Sequence, residues 1–186
     1  MKIEIKLNKN LSKSNKATIN RSRVKEFGKK NLKDFKRDYE PNTKWFFVKD
    51  SGKTVALGGL RPIKIEYLGR KYSVLGICSI ISIVKGKGYG TILIEEMIKY
   101  IKSKGKTGLG FTAQTEFFKK AGLDTKKKFG NRFALKNPKT GELTFEAEND
   151  VGDGIYYEGK DRLISKILLT KSTAYYWIPA LKDPHW

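Results

Sequence analysis

Lys85-Gly86-Lys87-Gly88-Tyr89-Gly90-Thr91 is the stretch on which the reading of this chain turns. Before it runs a largely β-branched apolar segment, Ile80-Ile81-Ser82-Ile83-Val84. After it, Ile94, Met97, Ile98 and Ile101 recur at helical spacing, and Gly105 stands where such a helix would stop. The order is strand, glycine-rich turn, helix. Glycine lets the turn adopt dihedrals closed to other residues and brings backbone close to a ligand. The unbonded N–H groups at the helix start then face negative charge. The spacing excludes two nucleotide cradles. The P-loop order Gly-x-x-x-x-Gly-Lys-Ser/Thr is absent. Gly86-x-Gly88-x-Gly90 is not the Gly-x-Gly-x-x-Gly of dinucleotide sites, and no βαβ repeats follow it.

Working outward, residues 1–8 alternate as a strand. Residues 18–38 suggest one or two helices, with Val24, Phe27, Leu32 and Phe35 as an apolar stripe and Gly28 weakening the middle. Strands are expected at Lys44–Val48, Thr54–Leu60 and Ile63–Tyr67. A further strand, Lys71–Val84, follows a turn at Leu68-Gly69-Arg70. The near-continuous apolar run from Val74 to Val84 fits a strand covered on both faces. Downstream come a strand at Thr107–Thr112, a short helix at Thr115–Ala121 and a hairpin of Arg132–Leu135 with Leu143–Ala147. A strand at Ile155–Glu158, a helix around Asp161–Leu169 and an aromatic strand at Ala174–Ile178 complete the order.

At 186 residues with 39% hydrophobic side chains, one domain with a real core is expected. No stretch approaches a membrane span, and the start lacks the apolar block of a secretory leader. The single cysteine, Cys78, rules out an internal disulfide framework, and Cys/His metal spacing is absent. These features suggest a cytoplasmic protein. The net charge of +20 leans toward residues 1–50, which carry 15 basic and 6 acidic side chains. Attraction to nucleic acid would follow from such a charge, but 32 of the 39 basic residues are lysine, so compositional bias is the favoured account.

Two motifs together resemble the GNAT N-acetyltransferase superfamily. Lys85-x-x-Gly88-x-Gly90 is similar to its pyrophosphate loop, Arg/Gln-x-x-Gly-x-Gly/Ala, with lysine in the first place. Phe117-Phe118-Lys119-Lys120-Ala121-Gly122-Leu123 is similar to its Phe-Tyr-x-Lys-x-Gly-Phe segment. The resemblance covers about residues 1–136, and residues 137–186 would complete the sheet and the acceptor site of a single domain spanning 1–186. It implies an α+β fold: a mixed, mostly antiparallel sheet flanked by helices and splayed between its fourth and fifth strands. It also implies acetyl-CoA as acyl donor, bound by Ile80, Ile81, Lys85, Gly86, Lys87, Gly88, Tyr89, Gly90, Thr91, Phe118 and Lys120. Direct attack by a small-molecule or protein amine would follow, in a monomer or homodimer. Two other readings stand beside it: a non-catalytic acyl-CoA-binding or nucleic-acid-associated module, and an acyltransferase acting on RNA or ribosomal protein.

The catalytic groups are harder to assign. Phe118 replaces the tyrosine that often donates a proton to the leaving thiolate in this superfamily, and the fourth strand lacks the carboxylate that often activates the amine. Candidate substitutes are Glu66, Cys78 and Tyr176, with Tyr156, Tyr157, Tyr175, Glu116 and His185 behind them. The end, Asp183-Pro184-His185-Trp186, resembles the tryptophan end of some aminoglycoside 2'-N-acetyltransferases of the superfamily. Glu142, Glu146, Glu148, Asp150 and Asp153 form a candidate amine-binding rim.

Overall fold

Two long strands carry the architecture in the computed structural model, which describes residues 1–36, 40–137, 139–145 and 152–178. They are β3 (Lys53–Tyr67) and β4 (Arg70–Ser82), joined by the turn at Leu68-Gly69. β1 (Lys2–Leu7) pairs with β2 (Lys44–Asp50), and β2 pairs with the first half of β3. The helix α1 (Lys13–Phe27) connects β1 to β2. After β4 come α2 (Tyr89–Ser103), β5 (Gly108–Thr112), α3 (Thr115–Lys120), β6 (Asp124–Lys126), β7 (Phe133–Lys136) and β8 (Leu143–Phe145). The chain then adds β9 (Asp153–Tyr157), α4 (Leu163–Leu168) and β10 (Ala174–Trp177). The sheet order is β6-β9-β5-β4-β3-β10-β7-β8, with β1 and β2 on the same edge of β3 as β10. Among the described strands, only β4/β5 and β7/β10 run parallel.

The stretch 53–67 is one strand rather than the two expected on either side of Arg61-Pro62. Pairing with β2 ends at Leu60 and pairing with β10 begins at Lys64. Pro62 therefore lies where that edge of β3 has no paired strand among the described residues, and its missing N–H breaks no described ladder there. Downstream, β9 inserts between β5 and β6, and β10 between β3 and β7, so both are woven into the sheet.

Both faces of the first half are covered. In β2, Trp45 and Phe47 face a core with Leu11, Ile19, Leu57 and Ile81, while Phe46 and Val48 face the core built by α2. This alternation across two buried faces explains why Trp45-Phe46-Phe47-Val48 is apolar without a break. α2 contributes Leu93, Ile94, Met97, Ile98 and Ile101, in line with its sequence periodicity. A further core joins the second half of β3 to α4, β7 and β10.

α1 differs from its expected form. Ser12 and Asn15 form a reciprocal capping box, so the helix starts at Lys13, and Gly28 at φ 88° ends it. The expected stripe does not hold as one buried face, because Phe27 and Leu32 are exposed; the helix buries Ile19 and Ser22 instead. β6 was not foreseen. It is a three-residue polar strand that, among the described residues, pairs with β9 alone.

Candidate active site

β4 and β5 pair only at Leu75–Gly76 with Gly108–Leu109 and then diverge. A Cβ on Gly110 would come within 2.9 Å of the Ile77 carbonyl oxygen, so glycine permits the close approach at the base of this fork. Beyond it, residues 77–82 of β4 have no β5 neighbour. A β-bulge interrupts β4 within the fork: Gly58 of β3 lies opposite both Ser79 and Ile80, and Ser79 takes φ 54°. The bulge resets the alternation. Ile77 and Ile80 both meet the α2-side core, while Ile81 is buried on the α1 side.

Two adjoining cavities follow the fork. One, of about 430 Å³, is lined by Arg23, Arg61, Ile77, Cys78, Ser79, Thr112, Phe118 and neighbours; the other, of about 400 Å³, by Ser82, Lys85, Gly86, Gly88, Gly90 and Thr91. Glu26, Ile80, Gln114 and Phe117 line both, which makes one continuous groove. Its loop end is made for an anion. Gly86 and Gly88 both have φ 74°, and a Cβ on either would meet no atom within 4 Å. Gly88 caps α2 without a side-chain hydrogen bond, and the first turn holds no acidic residue. The N–H groups of Tyr89, Gly90 and Thr91 lie before the first helical bond, Ile92 N–H to the Gly88 carbonyl at 3.1 Å. The groove therefore fits a long ligand with a phosphate end and an extended arm along an open strand edge.

The opposite end is polar and charged. Arg23, Glu26 and Phe27 project from one face of α1, at i, i+3 and i+4. Arg23 donates to the Ser79 hydroxyl and, through Nε at 2.9 Å, to the Asn31 carbonyl. Asn20 clamps the backbone of Lys33 by two 3.0 Å bonds, which carries the Lys33 ammonium to 3.4 Å from the buried Glu40 carboxylate. Arg61 approaches Glu40 at 3.0 Å, and Thr43 donates to it at 3.0 Å. Burial pushes the Lys33 ammonium below its ordinary range, with Glu40 opposing. Burial likewise pushes the Cys78 thiol up; Arg61 pulls it back, Glu40 adds to the rise, and Lys33 and Arg23 oppose it. Cys78 donates weakly to the Gly59 carbonyl at 3.5 Å.

The residues singled out from the sequence fall into three groups. Ile80, Lys85, Gly86, Gly88, Gly90, Thr91, Cys78 and Phe118 line the groove. The side chain of Ile81 is in the core, leaving only its backbone toward the strand edge. Tyr89 donates its hydroxyl to Asp50 at 2.7 Å, leaving its N–H for the loop. Lys85 is held by both oxygens of Glu26, at 2.8 and 2.9 Å. Lys87 and Lys120 are exposed and line neither cavity.

The structure does not bring Glu66 or Tyr176 to the groove. Glu66 is seven positions along β3 from Gly59, about 23 Å at strand rise, and pairs with Lys136 at 2.9 Å. Tyr176 is buried in the core around α4, as an aromatic strand residue packed on both sides would be. Tyr156, Tyr157, Tyr175 and Glu116 are also absent from the groove lining. His185, Trp186, Glu146, Glu148 and Asp150 lie outside the described residues. Glu142 is exposed, and Asp153 accepts the Lys128 N–H at 2.8 Å. The sequence reading missed Arg23, Glu26, Lys33, Glu40 and Arg61. A signal existed for the arginines: only seven occur in a lysine-rich chain, and Arg61 interrupts an apolar strand. Among the described residues, no group of acids, cysteines and histidines could hold a metal ion, and no helix is long and apolar enough to cross a membrane.

A mixed sheet forked after its fourth strand, with a glycine-loop helix start inside the fork, defines an acyltransferase-type fold. Residues 13–123 match the acetyltransferase (GNAT) family, and the chain belongs to that family, whose acyl donor is acetyl-CoA. Similar solved structures include ElaA of Escherichia coli, at TM-score 0.57 and 11% identity over 84% of this chain and 99% of that one. The GNAT family N-acetyltransferase YhbS of Escherichia coli, in complex with CoA, aligns at TM-score 0.56 and 12% identity over 95% of this chain and 91% of its own. An acyl-CoA N-acyltransferase from Pseudomonas aeruginosa aligns at 0.53 and 12% identity, over 84% and 97%. At these identities the likeness concerns the fold. No curated protein matches the sequence.

Proposed function

We propose that this chain is an acetyl-CoA-dependent N-acetyltransferase acting on a primary amine by direct attack. The observation that carries the reading is the continuous groove, with an uncapped helix start at one end and a polar chamber at the other. Backbone N–H groups from Gly86 to Thr91 would hold the donor's pyrophosphate, with the Thr91 hydroxyl adding a bond and Lys85 a charge. The open edge of β4 at Ile80 and Ile81 would pair with the pantetheine arm as a strand would. Acetyl-CoA supplies an activated thioester carbon. The Ser79–Ile80 bulge and Phe117 frame the space in which an acceptor nitrogen would reach that carbon, with a C–N bond forming as the C–S bond breaks. The amine gives up a proton and the CoA sulfur leaves, to be released as the thiol. The raised pKa of Cys78 keeps it a thiol at neutral pH, which favours attack by the acceptor itself over an acyl-cysteine route.

The test is calorimetric titration with acetyl-CoA, followed by a free-thiol release screen against a library of amines. Binding with acceptor-dependent release is the expected result. Binding without release on any amine would make the chain a non-catalytic acyl-CoA-binding module.

A further inference from the structure

The chamber beside the β4 bulge is electropositive. Arg23 comes from α1, Lys33 from the loop after it and Arg61 from β3, and they converge on Cys78 and Ser79. Among the described residues Glu40 is the one carboxylate set among these three cations, touching Lys33 and Arg61. Glu26 also lines the chamber and is engaged by Lys85. Gly59 makes room on β3 for the Cys78 side chain: a Cβ there would lie 2.9 Å from the Cys78 sulfur. Arg61, two residues on, lies on the same face of β3 and lines the chamber together with Cys78. A chamber wall holding more guanidinium and ammonium than carboxylate favours a bound anion and disfavours a polycation.

Resting on the acetyltransferase reading, we propose that the acceptor is a primary amine bearing a carboxylate or phosphate, held by Arg23 and Arg61 beside the β4 bulge. Arginine suits this task because its planar fork matches both anions. The arrangement excludes polyamines and aminoglycosides, whose added positive charges would meet the same wall.

The experiment uses the full chain saturated with CoA and measures binding of matched amines by calorimetry. The pairs are β-alanine with β-alaninamide, phosphoethanolamine with ethanolamine, and glycylglycine with glycylglycinamide; spermidine serves as the polycation. Turnover with acetyl-CoA is read in parallel. At least one acidic member should bind and react better than its neutral twin by about tenfold or more, the scale of one charged hydrogen bond. Which pair responds distinguishes carboxylate from phosphate. Arg23→Gln, at a half-buried position on α1, should collapse that preference toward unity while acetyl-CoA affinity stays within about twofold. Arg23→Lys should restore part of it. Equal binding within every pair, preference for spermidine, or a preference that survives Arg23→Gln would overturn the proposal. Loss of acetyl-CoA binding in the wild-type chain would instead overturn the reading beneath it.

Discussion

Glu26→Gln should tighten acetyl-CoA binding, although it removes a salt bridge. In the groove Glu26 grips Lys85 with both oxygens, at 2.8 and 2.9 Å, and Lys85 is the side chain that the pyrophosphate would have to recruit. Donor binding would therefore compete with Glu26 for one ammonium. The Lys85 side chain is 64% exposed and that of Glu26 29%, so water and salt screen the pair. Exposed pairs contribute about 0.2–1 kcal/mol. Releasing that competition corresponds to an affinity gain of about 1.4- to 5-fold, because 1.4 kcal/mol is a factor of ten. Loss of the carboxylate's repulsion of the donor phosphates acts in the same direction. The assay is a double-mutant cycle: calorimetric Kd for acetyl-CoA in wild type, Glu26→Gln, Lys85→Met and the double variant. Lys85→Met alone should weaken binding, and in its background Glu26→Gln should gain much less. The gain should shrink as salt rises. Weaker binding by Glu26→Gln, or the same gain in both backgrounds, would refute the competition.

Other positions give sharper structural tests. Gly88 sits at φ 74° with open space around it, so Gly88→Ala should cost about 1–2 kcal/mol of stability by backbone strain and Gly88→Asn less; equal losses in urea unfolding would contradict the strain argument. Lys49 first and Lys6 second, in ion pairs of 2.8 Å each, hold the Glu4 carboxylate down from 4.5 to about 2. A depressed carboxylate stabilises above its unfolded pKa and loses that effect as pH falls through its folded one. The stability gap between wild type and Glu4→Gln should be full above about pH 4.5 and vanish toward pH 2, and a pH-independent gap would contradict it. Cys78→Ser should keep most of the acetyl transfer rate, since a thiol held protonated by burial is a poor nucleophile. A collapse of kcat in a folded, CoA-binding Cys78→Ser chain would place the sulfur in the reaction.

What could be read from the sequence was local. The loop from Lys85 to Thr91 and the Phe117–Leu123 segment each lie within a few consecutive residues, so the two motifs behind the proposed donor end are legible in the sequence. α2 announced itself through periodicity and Gly105. The chamber was illegible because it is assembled from α1, the loop after it, β3 and β4, which meet only in the folded sheet. Arg23 and Glu40 look like ordinary surface charges until Asn20 clamps Lys33 and brings the loop down on Arg61. The bulge at Ser79 was equally hidden, since no glycine marks its positive φ. Glu66 and Tyr176 were plausible by residue type, yet strand length carries one to the far end of β3 and packing buries the other.

The central claim is that the glycine loop and fork hold the acyl donor. Its most direct test is titration of acetyl-CoA into wild type, Gly88→Asp and Gly90→Asp, each checked for a native circular dichroism spectrum. Either carboxylate would stand at the helix start meant for the pyrophosphate, where like charges repel. The account requires saturable binding by the wild-type chain and a loss of at least about tenfold in each folded variant, the effect of one charged contact. No binding by wild type, or equal binding by all three, would contradict it.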